Sequence, residues 1–457
     1  MELLEIRSIT KQLLRDGKPS VEKFEQALPY CKKLYEVFGT TNDLWDVHQY
    51  ANCLKQLGNL NEAEIVCDSI YQQFFEMELS KEQEKPWTYI KKLYAWIIFE
   101  KYVKTLRSLD KQPDKTLLLD KMAILCKLIV QEEQKAPSLS FCILQGVKYI
   151  VKNLDYNNYG KALSLLTLLK KDQLSQEPRS FINQLGKTRE LASEMEEYYQ
   201  LKSEILLKTK RYDECIACCN EAMESISTLH YNNDVWFERR VAQAFSGLGD
   251  IDKTIEKLNK LAVVSDKWFL LSEIGNSYLR VNNYNMALLY LLRGACTKDP
   301  EKMKVGLYES IGDACALIGD EDLSQLSFLL AKNIREENGW FINNQLRQKI
   351  KKDKIVSIRD VRKRLIEKLY LISGENIGKI SKLFSQNSGG FIQTDKKSYY
   401  FQSKNFFGKV DSLKVGDSVK FIIVDSFDKK KQKNTLEASV ITPIKKLYSL
   451  TSDNMEL

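Results

Sequence analysis

Histidine is almost absent from this sequence, because its 457 residues include only His48 and His230. A histidine-based metal centre or a Ser-His-Asp triad therefore has little material to form from, and we expect both to be ordinary helix or loop residues. The eight prolines and twenty glycines are also few, which excludes long disordered or collagen-like tracts. There is no P-loop, GxSxG, paired-carboxylate or kinase motif, so we predict a protein that is not an enzyme and needs no cofactor.

Long apolar runs are missing as well. The most apolar stretch, residues 117–130, is interrupted by Asp120, Lys121 and Lys127, and nothing reaches the length of a membrane span. The opening MELLEIRSIT lacks the basic region and apolar stretch of a secretory signal. We therefore expect a cytoplasmic protein with no membrane partner.

The ten cysteines are scattered and do not form a short disulfide framework, so we expect them to be reduced and buried. Cys215, Cys218 and Cys219 resemble half of a zinc site. No second CxxC follows, and Cys215 and Cys219 fall at small-residue packing positions. Core packing is therefore favoured over metal binding.

A helical-hairpin pattern recurs along most of the chain. In Leu271–Pro300, Gly275 on a first helix allows close approach of a second helix that presents Ala287 and Leu291. Similar patterns occur in Leu44–Tyr71, Trp236–Leu261 and Tyr308–Ala331, with weaker copies in Tyr199–Ala222 and near Tyr159, Ala162 and Leu166. Glycine turns such as Leu57-Gly58-Asn59 and Ile318-Gly319-Asp320 separate the paired helices.

This spacing resembles tetratricopeptide repeats, and the resemblance implies an α-solenoid that binds a protein partner in its concave face. We predict an irregular helical array over residues 1–342, with longer helices between Lys81 and Phe181. Residues 343–373 read as a basic connector, either one amphipathic helix or a pair. Its candidate buried positions are Leu346, Ile350, Ile355, Val361, Leu365 and Leu369.

After Gly374 the apolar residues recur at every second position, as they do in β-strands. Five short strands are predicted, in GKISKLFS, GGFIQT, KSYYFQS, DSVKFIIVDS and NTLEASVIT. Five strands in so short a segment indicate a small all-β barrel over residues 374–446, followed by a tail over 447–457.

The barrel segment resembles cold-shock domains, which are small oligonucleotide-binding (OB) folds. The likeness rests on Gly378-Lys379-Ile380, Gly390-Phe391-Ile392, Tyr399-Tyr400-Phe401, the Leu413 to Ile423 pattern and Ala438-Ser439-Val440. It implies that Phe391, Tyr399 and Phe401 form a platform on which bases of a single strand stack, while Ile392 and Tyr400 point inward.

This chain departs from the cold-shock pattern at several positions. The tryptophan position of the first strand falls on Lys382, or on Phe384 if the register slips, and the aromatic that ends the third strand is replaced by Gln402. The remaining nucleic-acid-binding candidates are basic residues that would contact phosphates: Lys379, Lys429, Lys430, Lys431 and Lys433.

Positive charge is concentrated in this part of the chain. Residues 343–446 contain 24 Lys and Arg against 10 Asp and Glu, a net charge of +14, whereas the whole chain carries +8 and the remainder therefore −6. The asymmetry favours a nucleic-acid module joined to a protein-binding scaffold. For the basic connector, a solvated face and a phosphate contact are equally compatible with the sequence.

Two hypotheses follow. The first is a non-enzymatic adaptor that binds a protein through the helical array and single-stranded RNA or DNA through the barrel. The alternative is a purely protein-binding scaffold, in which the barrel is a structural or partner-binding unit. The repeat-plus-barrel layout and residues 93–104 are also similar to a bacterial family encoded in conflict and phage-defence loci, which implies a defence context. Oligomeric state and the choice between RNA and DNA stay open.

Overall fold

The computed structural model describes residues 2–14, 19–107, 114–183, 186–384, 388–428 and 431–444. Within these ranges, no helix is both long enough and apolar enough to cross a membrane. The chain divides into two compact units, Met1–Phe237 and Glu238–Leu457. The predicted limits of the array, connector, barrel and tail remain a prediction, and the tail lies outside the described residues.

The first unit consists mainly of helices that pack along the chain in sequence order. They are α1 (Leu3–Leu14), α2 (Val21–Glu36), α3 (Phe38–Thr41), α4 (Leu44–Gln56), α5 (Leu60–Phe74), α6 (Lys81–Ile98), α7 (Lys115–Gln131), α8 (Leu139–Lys152), α9 (Tyr159–Leu166), α10 (Glu194–Lys208) and α11 (Tyr212–Ser225). Helix α6 continues into a π-helical turn, Phe99–Val103, and a 3-10 turn, Lys104–Arg107. The sequence predicts longer helices between Lys81 and Phe181. There α6 and α7 have 18 and 17 residues, but α8 and α9 have 14 and 8.

A small antiparallel hairpin interrupts these helices. Strands β1 (Arg179–Ile182) and β2 (Thr188–Leu191) pair with each other, and every position of both is exposed. The region predicted as a helical array, residues 1–342, therefore also contains a hairpin that the sequence pattern does not predict. Neither strand has a buried face, so the alternating apolar pattern that reveals a strand in a sequence is missing.

Helix α12 (Asn233–Leu248) spans the boundary between the units. The other helices of the second unit are α13 (Ile251–Val264), α14 (Trp268–Arg280), α15 (Tyr284–Ala295), α16 (Val305–Leu317), α17 (Glu321–Glu337), α18 (Asn344–Lys349) and α19 (Ile358–Ser373). Its strands are β3 (Asn376–Leu383), β4 (Gly389–Gln393), β5 (Ser398–Gln402), β6 (Ser418–Asp428) and β7 (Lys433–Pro443).

The helical hairpins confirm the role predicted for small residues. A side chain at Gly275 on α14 would lie 2.5 Å from Leu291 Cγ and 3.0 Å from the carbonyl oxygen of Ala287, both on α15. A side chain at Gly312 on α16 would overlap the ring of Phe328 on α17. The two helices of each hairpin therefore approach as closely as a glycine permits.

The turns between paired helices follow the predicted chemistry. Gly58 and Gly319 have φ angles of 80° and 78°, which residues with a Cβ rarely adopt. The next residue but one begins the second helix, and Asp320 caps α17 because its side chain accepts a hydrogen bond from the amide of Leu323. Sequence and turn geometry thus agree on where each hairpin bends.

All ten cysteines are free thiols and buried, as expected. Cys215, Cys218 and Cys219 lie on α11, where each is 5% exposed or less. These positions confirm the assignment of Cys215 and Cys219 to the packed side of a helix.

The connector forms a helix pair, α18 and α19. Leu346, Val361, Leu365 and Leu369 are buried in the same cluster as α15, α16 and α17, as predicted, and Ile350 packs against that cluster. The prediction for Ile355 is wrong, because this side chain is 92% exposed. It lies between the two helices, where no helical period applies.

The five predicted strands are present and pair in the closed order β3-β4-β5-β7-β6. All of these pairings are antiparallel except the single contact of β5 with β7, at Tyr400 and Glu437. The interior is filled by buried apolar side chains from every strand and from the loop between β5 and β6: Ile380, Ile392, Tyr399, Phe401, Phe406, Leu413, Val419, Phe421, Ala438 and Ile441. This closed sheet is called the barrel below.

Two glycines of α16 give a matched test of hairpin packing. We expect Gly312→Ala to lower the free energy of unfolding by about 1–3 kcal/mol, because the added methyl group overlaps the Phe328 ring. The control is Gly306→Ala, where nothing lies within 4 Å of the added atom, and this change should be neutral or stabilising by a few tenths of a kcal/mol. Equal values from denaturant unfolding would contradict the close approach of α16 and α17.

His48 predicts a pH dependence of stability. It lies on α4 with its ring 5.8 Å from Trp45 and 5.7 Å from Tyr89, and burial lowers its pKa to about 4. Between that value and about 6.5, the unfolded chain binds a proton that the folded chain does not, so stability falls as the pH falls through this window. The loss attributable to His48 is up to about 3 kcal/mol.

The measurement compares denaturant midpoints of the native protein and His48→Gln between pH 7 and pH 4. The carboxylates titrate in both proteins, so the difference between the two curves isolates His48. We expect the variant to lose less stability on acidification. Parallel curves would show that the imidazole titrates alike in the folded and unfolded chains.

Candidate nucleic-acid interface

The pairing of β4 with β5 decides which aromatic side chains face outward. Phe391 is opposite Tyr400, and Ile392 is opposite Tyr399. Tyr399 and Phe401 are only 7% and 0% exposed and belong to the barrel core, whereas Tyr400 is 36% exposed. The predicted orientations of Tyr399, Phe401 and Tyr400 are therefore wrong, while the inward orientation of Ile392 is confirmed.

The turn between β4 and β5 and the glycine at position 390 explain these orientations. Residues 394–397 join the two strands through hydrogen bonds between Thr394 and Lys397, so Gln393 pairs with Ser398 and the register is fixed. Phe401 then lies opposite Gly390, where a Cβ would come within 3.0 Å of the Phe401 ring. Tyr399 and Phe401 consequently have no free ring face on which a base can stack.

Three other aromatic rings cluster on the outer surface of the barrel. The ring centroids of Phe384 and Phe391 are 5.7 Å apart, those of Phe384 and Tyr400 6.2 Å, and those of Phe391 and Tyr400 6.0 Å. All three side chains are partly or fully exposed. We call Phe384, Phe391 and Tyr400 the aromatic platform.

A β-bulge brings Phe384 into this platform. The register of β3 against β4 shifts between Ile380 and Lys382, so that one residue of β3 has no opposite partner. Lys382 is the register partner of Phe391, and the ring of Phe384, two residues later, packs against the Phe391 ring. Tyr400 is the member that the sequence prediction missed, and the loop length together with Gly390 opposite a ring is the signal that identifies it.

Several basic side chains are exposed on the described part of the barrel, and Lys382 lies against the platform. Lys379 and Lys382 are exposed on β3, and the ammonium of Lys382 lies 5.9 Å from the ring centroid of Phe384. Lys431 and Lys433 are exposed at the start of β7 and in the loop before it. The candidates Lys429 and Lys430 lie outside the described residues.

Helix α19 anchors the barrel within the second unit. The hydroxyl of Tyr370 donates a hydrogen bond of 2.6 Å to the carbonyl oxygen of Val440 and lies 2.9 Å from Thr442 Oγ1. Ile422 and Val440 share a buried cluster with the helices. The barrel thus packs on the helices through β6 and β7, and the platform is not part of that cluster.

Four of the ten cations of the connector pair with acids of preceding segments. Lys368 pairs with Asp320 at 2.6 Å, and Arg362 pairs with Glu301. Arg359 and Lys363 instead line a cavity of about 1130 Å³ beside Phe407 of the barrel.

No protein-family model matches this chain, and no curated protein matches it. The solved structures to which this chain is similar share little sequence identity with it. A tetratricopeptide repeat protein from Parabacteroides merdae is 10% identical over 68% of this chain and 98% of its own, with a TM-score of 0.28.

BtubC from P. vanneervenii is 13% identical over 57% of this chain and 98% of its own, with a TM-score of 0.31. The TPR2AB domain of yeast Sti1, solved in a complex with pHSP90, is 16% identical over 62% of this chain and 96% of its own, with a TM-score of 0.19. None of these likenesses bears on the function of this chain, because the TM-scores are too low.

The orientation of β5 is testable through stability. We expect Phe401→Ala to lower the free energy of unfolding by about 3–5 kcal/mol, because it empties a fully buried core position. Tyr400→Ala, one residue earlier and partly exposed, should cost at most about 1 kcal/mol. Guanidinium unfolding of the two variants checks this, and the opposite order would restore the orientation predicted from the sequence.

Proposed function

We propose that this protein is a non-enzymatic adaptor whose barrel binds single-stranded nucleic acid and whose helical hairpins bind a protein. The aromatic platform is the observation that carries the proposal. Three rings within about 6 Å of one another, exposed beside lysines, suit the stacking of successive bases.

The affinity divides into two physical contributions. Base stacking on an aromatic side chain contributes about 1–3 kcal/mol per base, whatever the base. The exposed Lys379 and Lys382 add attraction for phosphates, which weakens as salt rises. Neither contribution distinguishes RNA from DNA, since no contact to a 2′-hydroxyl is implied.

The likeness to OB and cold-shock domains supports the same assignment. The closed five-stranded order and the outward rings of β4 and β5 agree with such a fold, although the ring from β5 is Tyr400. Stacked helical hairpins commonly offer extended surfaces to proteins, which is the basis for proposing a protein partner. The resemblance to defence-associated bacterial proteins is the basis for proposing a defence system as the context.

A second candidate function is a protein-binding scaffold in which the barrel is structural. The observation in its favour is the cluster that Ile422 and Val440 share with the helices, because a domain built into a helical core need not bind anything itself. The two candidates differ in what the platform does.

Fluorescence anisotropy with labelled U12 and dT12 distinguishes them. We expect the native protein to bind at least one of these strands, and the double variant Phe391→Ala, Tyr400→Ala to bind 10- to 100-fold more weakly, because two stacking faces are lost. Lys382→Gln should lower the slope of log affinity against log salt by about 0.7.

Phe341→Ala is the matched control, since this aromatic side chain is 79% exposed and lies outside the barrel. It should bind as the native protein does. Native-like binding by the double variant, or no binding of either strand by the native protein, would reject the platform and favour the scaffold.

A further inference from the structure

A cavity of about 530 Å³ lies within the second unit, beside the aromatic platform. Its walls come from the end of α13, from the C-terminal part of α15 and from β5, β6 and β7. The volume is in the range of pockets that hold small ligands. Tyr400 of the platform pairs with Glu437, and Glu437 lines the cavity.

Arg293 supplies to this cavity a cation whose side chain makes neither a hydrogen bond nor an ion pair within the described ranges. Its guanidinium carbon lies 5.3 Å from the ring centroid of Tyr290. Burial lowers its pKa, and the more distant charges of Tyr290, Asp266, Asp425 and Glu437 oppose that lowering. Five N–H donors that line a cavity without acceptors are costly unless a ligand supplies them.

Asn405 gives an independent indication of a ligand. It lines the same cavity and is 8% exposed, and its amide nitrogen Nδ2 is buried with no hydrogen-bond partner in the described part of the chain. Buried polar groups in folded proteins are almost always paired. An acceptor from a bound molecule would satisfy both Asn405 and Arg293.

Carboxylates complete the lining. Glu437 is 6% exposed, and burial raises its pKa, while hydrogen bonds from Ser426 and Gln402 oppose that rise. Asp425 also lines the cavity, and its charge acts on Arg293. Asp266, by contrast, is paired with Lys404 at 3.0 Å. A simple anion would meet these carboxylates, so it does not match a lining that contains acceptors as well as donors.

Guanine matches this combination better than the other bases. Its O6 and N7 atoms accept the two parallel hydrogen bonds that an arginine donates, and its amino group is a donor that a carboxylate accepts. Cytosine carries its amino donor and its acceptors N3 and O2 on one edge, whereas guanine presents its O6 and N7 acceptors and its amino donor on different edges. Adenine suits an amide better than a guanidinium.

We propose that this cavity binds a guanine base of the single strand that stacks on the aromatic platform. Arg293 donates to the O6 and N7 edge, and Glu437 or Asp425 accepts from the amino group. Neighbouring β-strands of a sheet lie about 4.8 Å apart, and Tyr400 pairs with Glu437. A nucleic-acid strand stacked on Tyr400 would therefore place its next base in the cavity beside Glu437. The inference rests on the proposed nucleic-acid binding and adds sequence preference to it.

The experiment measures the binding of the full chain to four labelled strands by fluorescence anisotropy. The strands are U12, U12 with one central G, dT12 and dT12 with one central G. We expect the single G to strengthen binding about 10-fold. Arg293→Gln and Glu437→Gln should each remove this preference and leave the affinity for the homopolymer within about twofold. Circular dichroism confirms that the variants are folded.

Arg280→Gln is the matched control, because it makes the same change at an exposed arginine of α14 outside the cavity. It should retain the preference for G. Calorimetric titration with GMP and with AMP separates a free nucleotide from a base within a strand.

The outcomes separate the two proposals. If the homopolymer binds and G is not preferred, or the preference survives Arg293→Gln, the guanine site is overturned and the platform stands. If no strand binds but GMP binds and Arg293→Gln abolishes this, the nucleic-acid function is overturned and the site belongs to a free nucleotide. If neither binds, both proposals are wrong.

Discussion

The register of β5 against β4 is the constraint on which the rest of the barrel depends. It places Phe401 over Gly390 in the core and leaves Tyr400 outside, opposite Phe391 and next to Glu437. Because side chains alternate along a strand, a slip of one residue would bury Tyr400 and expose Phe401. Core, platform and the near wall of the cavity therefore follow from one pairing.

The cavity depends in addition on how the barrel is held against α15. Tyr370 is tied to β7, and Ile422 and Val440 belong to the buried cluster of the helices. Separating the barrel from these helices would expose that apolar surface to water, at about 25 cal/mol per Å². Core packing therefore keeps Arg293 of α15 facing β6 and β7, although more than 100 residues separate these segments in the sequence.

Much of the helical architecture was predictable from the sequence, because the same small residues recur where two helices touch. Gly275 and Gly312 are visible as a pattern, and the structure shows the side chains that would clash with anything larger. The five strands were predictable for a similar reason, since their apolar positions alternate around the buried Ile380 and Val419.

The phase of β5 was not predictable from alternation, because Tyr399, Tyr400 and Phe401 are all aromatic and offer no polar face. The pairing partner resolves it, and a pairing is a property of two segments together. The hairpin of β1 and β2 was not predictable for the opposite reason, since none of its positions is buried. The cavity was not predictable because Arg293 and Glu437 come to line it only in the folded chain.

The distribution of ion pairs changes what the net charge of +14 means. Several connector cations serve the fold: Lys349 pairs with Asp313, Lys351 with Glu321 and Lys368 with Asp320, all acids of the helices α16 and α17 or the turn between them. The excess of acid before residue 343 and the excess of base after it therefore neutralise each other in part across one interface within the second unit.

This pairing gives the connector a role that the sequence alternatives did not include, since four of its ten cations pair with acids of preceding segments. By contrast, Lys379, Lys382 and Lys433 have no carboxylate partner within the described ranges. Exposed ion pairs contribute little attraction at a distance, so the proposed binding would draw on unpaired cations such as Lys379 and Lys382. A count of charge along the chain points to residues 343–446, whereas the structure shows which of these cations already pair with acids.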